Sequence, residues 1–308
     1  GTPSVRSGCG TPVPSAGSFQ FSFAGTSANN YPSKIDLHQL GSGFNGQFYF
    51  AHTRNVGSPN AFSGALDVTG TWTLNQSIEG WAKVYVHMPS HGAWLQQANY
   101  VVTTGLGTTT RSINQRNYAN EQPREQFRND NAQSSATLRD ALSGVDDIAW
   151  DAVAFVPLDS KPSEFVVALG DSFSSGEGTS PPDGTGFWRG SDHHGTPISD
   201  GNGGSTDSPH RNACHRSDEA WPFQIDLPGI TGAATIGELV DGQDQRLDFH
   251  LLACSGAITA NVLHPSNPGA VRQWGEQTQI GRGFLNDDTT LVTLTVGGND
   301  VGFGPIIK

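Results

Sequence analysis

The stretch Gly170-Asp171-Ser172-Phe173-Ser174-Ser175-Gly176-Glu177-Gly178 holds the sharpest chemical signal in the chain. A serine hydroxyl is a weak nucleophile until a base removes its proton. Attack on a carbonyl also needs N–H donors for the oxyanion that develops. Phe165–Leu169 is a continuous apolar run, the pattern of a strand buried on both faces. Ser172 therefore falls where a strand turns into a predicted helix, whose first N–H groups favour developing negative charge. Gly-Asp-Ser alone is also ordinary turn chemistry. Two further blocks change that. Ala253-Cys254-Ser255-Gly256-Ala257 follows the run Phe249–Ala253, which only His250 interrupts. Gly256 lacks a side chain, so its N–H can come close to a substrate. Val296-Gly297-Gly298-Asn299-Asp300 follows the run Leu291–Val296, and the Asn299 amide is a neutral donor that can reach the same oxyanion. Each block by itself fits a Gly-rich turn or a capping Asn. Three in order, each at the end of a buried strand, fit that reading poorly.

The elements that position these blocks belong to the second of two predicted domains, which the 308-residue length allows. From Glu164 onward, strands ending in small or polar residues predict a parallel sheet with chemistry at its C-terminal ends. The stretch Pro181 to Asn212 is a long loop rich in Gly, Ser, Pro and Asp. Residues 1–158 read as an all-β sandwich or jelly roll. Its predicted strands are Phe19–Phe23, Gln47–His52, Gly70–Leu74, Ala82–Met88, Tyr100–Thr103 and a closing run Ile148–Pro157. In the fourth, Val84 and Val86 alternate with Lys83, Tyr85 and His87, as in a half-buried strand. Residues 116–136 are polar and predict a surface loop, and Pro157 to Ser163 a linker.

Composition excludes several classes. Apolar residues make up 35% and charged residues 15%, with 39 Gly, a polar but weakly charged surface typical of secreted bacterial proteins. The 17 basic and 29 acidic residues leave a net charge of −12, which repels phosphate backbones and anionic lipid. With no Lys/Arg run, nucleic acid is not an expected partner. No segment approaches the roughly 18 apolar residues of a membrane span. The chain opens on a Gly/Ser/Pro-rich leader rather than a signal segment, as expected of a processed or excised chain. The cysteines Cys9, Cys214 and Cys254 form no C-x-x-C pair, which argues against zinc or thioredoxin-like chemistry. His87 and His91 make a metal pair only on a helix, and Pro89 intervenes, so no metal site is expected.

From Phe165 onward the chain resembles the SGNH hydrolases, the GDSL-type esterases and lipases, in three of that family's four marker blocks. Asn212-Ala213-Cys214-His215-Arg216-Ser217 and Ala253-Cys254-Ser255-Gly256-Ala257 resemble its actinobacterial secreted branch. The resemblance implies a flavodoxin-like α/β domain over residues 164–308. It makes Ser172 the nucleophile and first oxyanion donor, with Gly256 and Asn299 as the other donors. No cofactor is implied. The family's fourth block, Asp-x-x-His, carries the general base and has no counterpart here. All ten histidines precede Asn299. The base is therefore expected on a C-terminal remainder, removed or present as a separate chain. Cys214 and Cys254 flank this site and are expected to form a disulfide in an oxidising compartment, leaving Cys9 unpaired or bonded elsewhere.

Residues 80–100, with Gly80-Trp81-Ala82-Lys83-Val84-Tyr85-Val86-His87-Met88-Pro89, His91-Gly92-Ala93-Trp94 and Gln97-Ala98-Asn99-Tyr100, resemble the carbohydrate-binding-like domain of golvesins and xanthan lyases. Ile148-Ala149-Trp150-Asp151-Ala152-Val153 fits the same pattern. Trp81, Trp94, Trp150 and Tyr85 could stack on sugar rings or pack a sandwich core. The expected activity is hydrolysis of carboxylic esters, of lipid or acylated polysaccharide, by a secreted enzyme. The rival expectation is a carbohydrate-binding or structural module whose hydrolase half is inactive.

Overall fold

The computed structural model describes residues 17–24, 35–39, 43–52, 67–89, 93, 95–115, 127–132, 135–139, 147–179, 186–193, 198–199, 205–206, 212–230, 232 and 234–302. Cys9, His91, Trp94, His194 and His210 lie outside them. The chain divides into two compact units, Gly1–Asp159 and Ser160–Lys308.

The first unit is built from strands. β1 (Gly17–Ala24), β4 (Asp67–Leu74), β9 (Ser135–Arg139), β6 (Ala98–Thr104) and β7 (Gly107–Ile113) form one sheet in that spatial order. β10 (Asp147–Trp150), β3 (Phe48–His52) and β2 (Asp36–His38) form a second. β11 (Val153–Pro157), β5 (Ile78–Val86) and β8 (Phe127–Ala132) form a third. Aromatic and β-branched residues build these strands because their bulk packs well on a pleated surface. Phe21 meets Trp150 edge-on at 5.3 Å between ring centres, and Phe19 lies 4.8 Å from Trp72. Trp150 is only 1% exposed. It reaches that depth because Gly70 faces it: a Cβ at Gly70 would run into the indole. Trp150 is thus a core residue and not a sugar platform, while Trp81 and Tyr85 are half-buried.

Three strand expectations change. The run Ile148–Pro157 is not one strand but two, in different sheets. The break at Asp151 is pinned by polar contacts: its carboxylate accepts the Phe44 N–H at 2.9 Å and pairs with His87 Nδ1 at 2.6 Å, and its carbonyl accepts from Trp72 Nε1. The predicted loop at 116–136 contains β8, whose polar sequence hid it. An edge strand is held by its backbone ladder and needs no apolar alternation. Finally, Lys83 is 3% exposed, so β5 is covered on both faces there and the clean alternation fails.

Gln115 is fully buried and leaves none of its amide atoms idle. Its Nε2 donates to Tyr100 Oη and to the Ala149 carbonyl, and its Oε1 accepts the Ala149 N–H. Buried polar atoms need such partners, and this one side chain satisfies the free edge of β10. Burial pushes the Tyr100 phenol far above its ordinary value of 10.0. Above pH 10 the unfolded chain loses this proton while the folded chain keeps it. Stability is therefore lost as pH rises beyond 10, by about 1.4 kcal/mol for each pH unit from this one group until its folded value is reached. Denaturant titrations between pH 9 and 11 should show this slope, and Tyr100→Phe should flatten it.

The second unit centres on β12 (Glu164–Gly170), with β17 (Leu247–Leu251) and β18 (Leu291–Thr295) on either side, both parallel to it. Val166 and Ala168 share a face with Leu247, Phe249 and Leu251. That face packs on Phe223 and on Ile236 and Leu239 of α2 (Ile236–Asp241). Phe165–Leu169 is buried throughout because the other face is covered too. A capping box starts α2: Thr235 Oγ1 accepts the Glu238 N–H, and Glu238 accepts the Thr235 N–H. The other α-helices among the described residues of this unit, α1 (Ser172–Ser175) and α3 (Thr259–Val262), are single turns. This unit is mostly strand, turn and loop, and the flavodoxin-like sheet is seen only as its three-stranded part. The long loop expected from Pro181 to Asn212 contains two short ladders, β13 (Asp192–His193) with β16 (Asn212–Ala213) and β14 (Ile198–Ser199) with β15 (Ser205–Thr206).

Candidate active site

All three blocks leave the same end of the sheet, because parallel strands present their C-termini together. At the first, Gly170 has φ +131°, and a Cβ there would run into the Thr295 carbonyl. Gln279 clamps both sides of this residue: its Oε1 accepts the Gly170 N–H and its Nε2 donates to the Gly170 carbonyl, each at 2.7 Å. Asp171 then caps α1, accepting the Phe173 N–H at 3.2 Å and the Thr295 hydroxyl at 2.9 Å. Ser174 Oγ lies 2.7 Å from Thr295 Oγ1. The turn that carries Ser172 is thus fastened to the end of β18. Ser172 is half-buried, and its hydroxyl makes no hydrogen bond among the described residues. Because α1 has four residues, the dipole expected to favour an oxyanion is that of one turn only.

The second block returns to the first through the backbone, the Cys254 N–H donating to the Gly170 carbonyl at 3.0 Å. Gly256 is exposed with φ +77°, a left-handed conformation that suits glycine. The third block closes on the second: Asn299 Nδ2 donates to the Ala257 carbonyl at 2.9 Å, and the Asp300 carboxylate accepts the Thr259 N–H. One of the two Asn299 amide protons is therefore engaged by Ala257.

Cys214 and Cys254 form a disulfide that closes a loop of 40 residues. It packs against Ala257 and Trp274, so it adjoins the second block at the residue after Gly256. A loop of this size stabilises the fold by roughly 2–4 kcal/mol.

Several supporting residues carried no legible signal. Arg216 is 1% exposed and donates to the carbonyls of Leu252 and Ala253, where β17 leads into the Gly256 turn. Glu276 takes both of its terminal nitrogens, at 2.9 and 2.7 Å, and Asn212 and Arg282 complete the cluster. Glu177, quoted in the first block without a role, accepts from Ser255 Oγ at 2.5 Å and pairs with His215 Nδ1 at 2.7 Å.

No histidine among the described residues is hydrogen-bonded to the Ser172 hydroxyl. His215 has its Nδ1 on Glu177, its Nε2 3.6 Å from Asp192, and its ring stacked on Phe187 at 4.6 Å. His250 is buried against Phe284 with Nε2 3.3 Å from Asp248, and His264 Nδ1 pairs with Ser266. The His193 side chain is not among the described ones. No group of three or more His, Cys, Asp or Glu among the described residues is placed to hold a metal ion. No helix among them is long and apolar enough to cross a membrane.

No protein-family model and no curated protein matches this chain. Two solved structures are similar to it. One is an active-site mutant of a family two carbohydrate esterase from Clostridium thermocellum, 9% identical over 82% of this chain, with a TM-score of 0.23. The other is a carbohydrate esterase with divergent catalytic and non-catalytic binding functions, 10% identical over 87% of this chain, with a TM-score of 0.21. The chain spans 66% and 65% of their lengths, just under two thirds. At such TM-scores the functional reading rests on the site itself.

Proposed function

We propose that this chain carries the nucleophile and oxyanion site of a secreted serine esterase of the SGNH type. One observation carries the reading: three blocks bearing Ser172, Gly256 and Asn299 end on three adjacent parallel strands and are hydrogen-bonded to one another. In the proposed reaction Ser172 Oγ attacks the ester carbonyl while a histidine takes its proton. The N–H groups of Ser172 and Gly256 and the second Asn299 amide proton hold the oxyanion. The alcohol leaves with the proton, and water then releases the acid from Ser172. No metal takes part. The histidine belongs to an Asp-x-x-His block on a C-terminal remainder. The disulfide supports an oxidising, extracellular setting. The complete natural polypeptide, treated with an organophosphonate, should carry the adduct on Ser172. An adduct elsewhere, with Ser172 untouched, overturns the assignment.

The rival reading is an inactive hydrolase half serving a binding module. It is favoured by the absence of a histidine on Ser172 among the described residues, and it requires that Ser172 never react. In the proposed enzyme the β-domain predicted over residues 1–158, which falls in the first unit, is a carbohydrate-binding domain that takes the enzyme to acylated polysaccharide. The chain should then be retained on an insoluble polysaccharide, and Trp81→Ala should weaken retention roughly two- to tenfold. No retention on any cell-wall or plant polysaccharide makes the unit purely structural.

A further inference from the structure

The structure assigns Glu177 as a positioning residue that sets the Gly256 N–H relative to Ser172. This rests on the hydrolase reading above. Glu177 sits one turn beyond the serine, and its N–H donates to the Ser172 carbonyl at 3.1 Å. Its place is dictated by Gly176, which ends α1 at φ +114°. A Cβ on Gly176 would lie 2.8 Å from Ser217 Cβ and 3.3 Å from Ala220 Cβ, so only glycine lets the chain turn this close to the 217–220 segment. From there a single carboxylate oxygen, Glu177 Oε2, joins two other segments. It accepts from Ser255 Oγ and pairs with His215 Nδ1. His215 has a left-handed backbone, φ +49°, its ring stacks on Phe187, and it follows the disulfide cysteine Cys214.

The consequence falls on one peptide plane. The Ser255 carbonyl and the Gly256 N–H belong to the same planar unit and point in opposite directions. Gln273 Nε2 donates to that carbonyl at 2.8 Å, and the Ser255 N–H donates to the Cys214 carbonyl at 2.9 Å. With the carbonyl, the N–H and the side chain of Ser255 all tied, the Gly256 N–H has one direction left. Among these ties, the Glu177 contact is the one that runs to the Ser172 segment itself. Gly256 is exposed and left-handed and carries no side chain to anchor it. Its aim is therefore set by its neighbours, and an oxyanion donor displaced by about 1 Å can cost on the order of 100-fold in rate.

The test measures phosphonylation of Ser172 in the complete natural polypeptide, separating the maximal rate from the half-saturating concentration. Glu177→Ala should lower the maximal rate roughly 10- to 100-fold and leave half-saturation within about twofold, because ground-state binding does not use the oxyanion donors. Ser255→Ala breaks the same contact from the other side by removing one hydroxyl, and should reproduce the loss even if Glu177→Ala folds poorly. Glu177→Gln keeps an acceptor for Ser255 and should recover most of the lost rate. Amide exchange at Gly256 and Ala257 should quicken in Glu177→Ala while β12 and β17 stay protected. Label on Ser172 at a rate indifferent to Glu177→Ala and Ser255→Ala overturns the role of Glu177 alone. No label on Ser172 in the unsubstituted protein overturns the hydrolase reading, and the positioning role of Glu177 with it.

Discussion

Ser172→Ala in the complete natural polypeptide should abolish hydrolysis of p-nitrophenyl esters, a fall of roughly 10⁴- to 10⁶-fold, without measurable loss of stability. The size follows from the chemistry: without the nucleophile only the oxyanion donors and substrate binding remain, and these leave a small residual rate over water. The unchanged stability follows from the structure. The Ser172 hydroxyl makes no hydrogen bond among the described residues, so its removal strands no buried partner. The turn is fixed instead by Asp171, Ser174 and Thr295. Assayed without any C-terminal remainder, the 308-residue chain should itself show only residual turnover. Among the described histidines His215 and His250 face carboxylates and His264 faces Ser266, and none is hydrogen-bonded to the Ser172 hydroxyl. Robust turnover by the 308-residue chain that vanishes in Ser172→Ala would put the base within it, at His193, His194, His210 or His215. Turnover indifferent to Ser172→Ala would remove the serine from the mechanism altogether.

Arg216→Ala should cost the second unit about 3–5 kcal/mol, lowering its melting temperature by roughly 6–20 °C. Removing one partner of a buried ion pair leaves the other charge without solvent or compensation, which is why the loss exceeds the net worth of the pair. Here both guanidinium and carboxylate are almost fully buried, and Arg216 also satisfies two backbone carbonyls at the end of β17. Glu276→Gln should be equally severe, since it removes an anion that faces both Arg216 and Arg282. The exposed pair Lys161–Asp288 is the control. Its side chains are 50% and 31% accessible, and Lys161→Ala should change stability by less than about 1 kcal/mol. Thermal unfolding of the three variants side by side decides the matter: equal small shifts would mean that the buried cluster contributes no more than a surface contact.

The three parallel strands of the second unit were legible in the sequence. A strand buried on both faces must be apolar along its length, so Phe165–Leu169 announced β12 without any partner being known. The small and polar residues after it mark where the chain leaves the sheet. The Cys214–Cys254 bond was legible for a similar reason, since both cysteines flank blocks already drawn to one end of the sheet. The packing of the first unit was not legible. Trp150 next to a sugar and Trp150 in a core require the same residue, and only its meeting with Gly70 and Phe21 puts it inside. β8 escaped because backbone pairing at a sheet edge leaves no apolar signature.

Tertiary structure alone decided the supports of the site. Gln279 on Gly170, Glu276 on Arg216 and Glu177 on Ser255 join residues 109, 60 and 78 positions apart. Local sequence encodes which face of an element is apolar, through the periods of strand and helix. It does not encode which distant polar side chain arrives opposite a given carbonyl or hydroxyl. That depends on the register of whole segments, which packing sets only once the chain has folded.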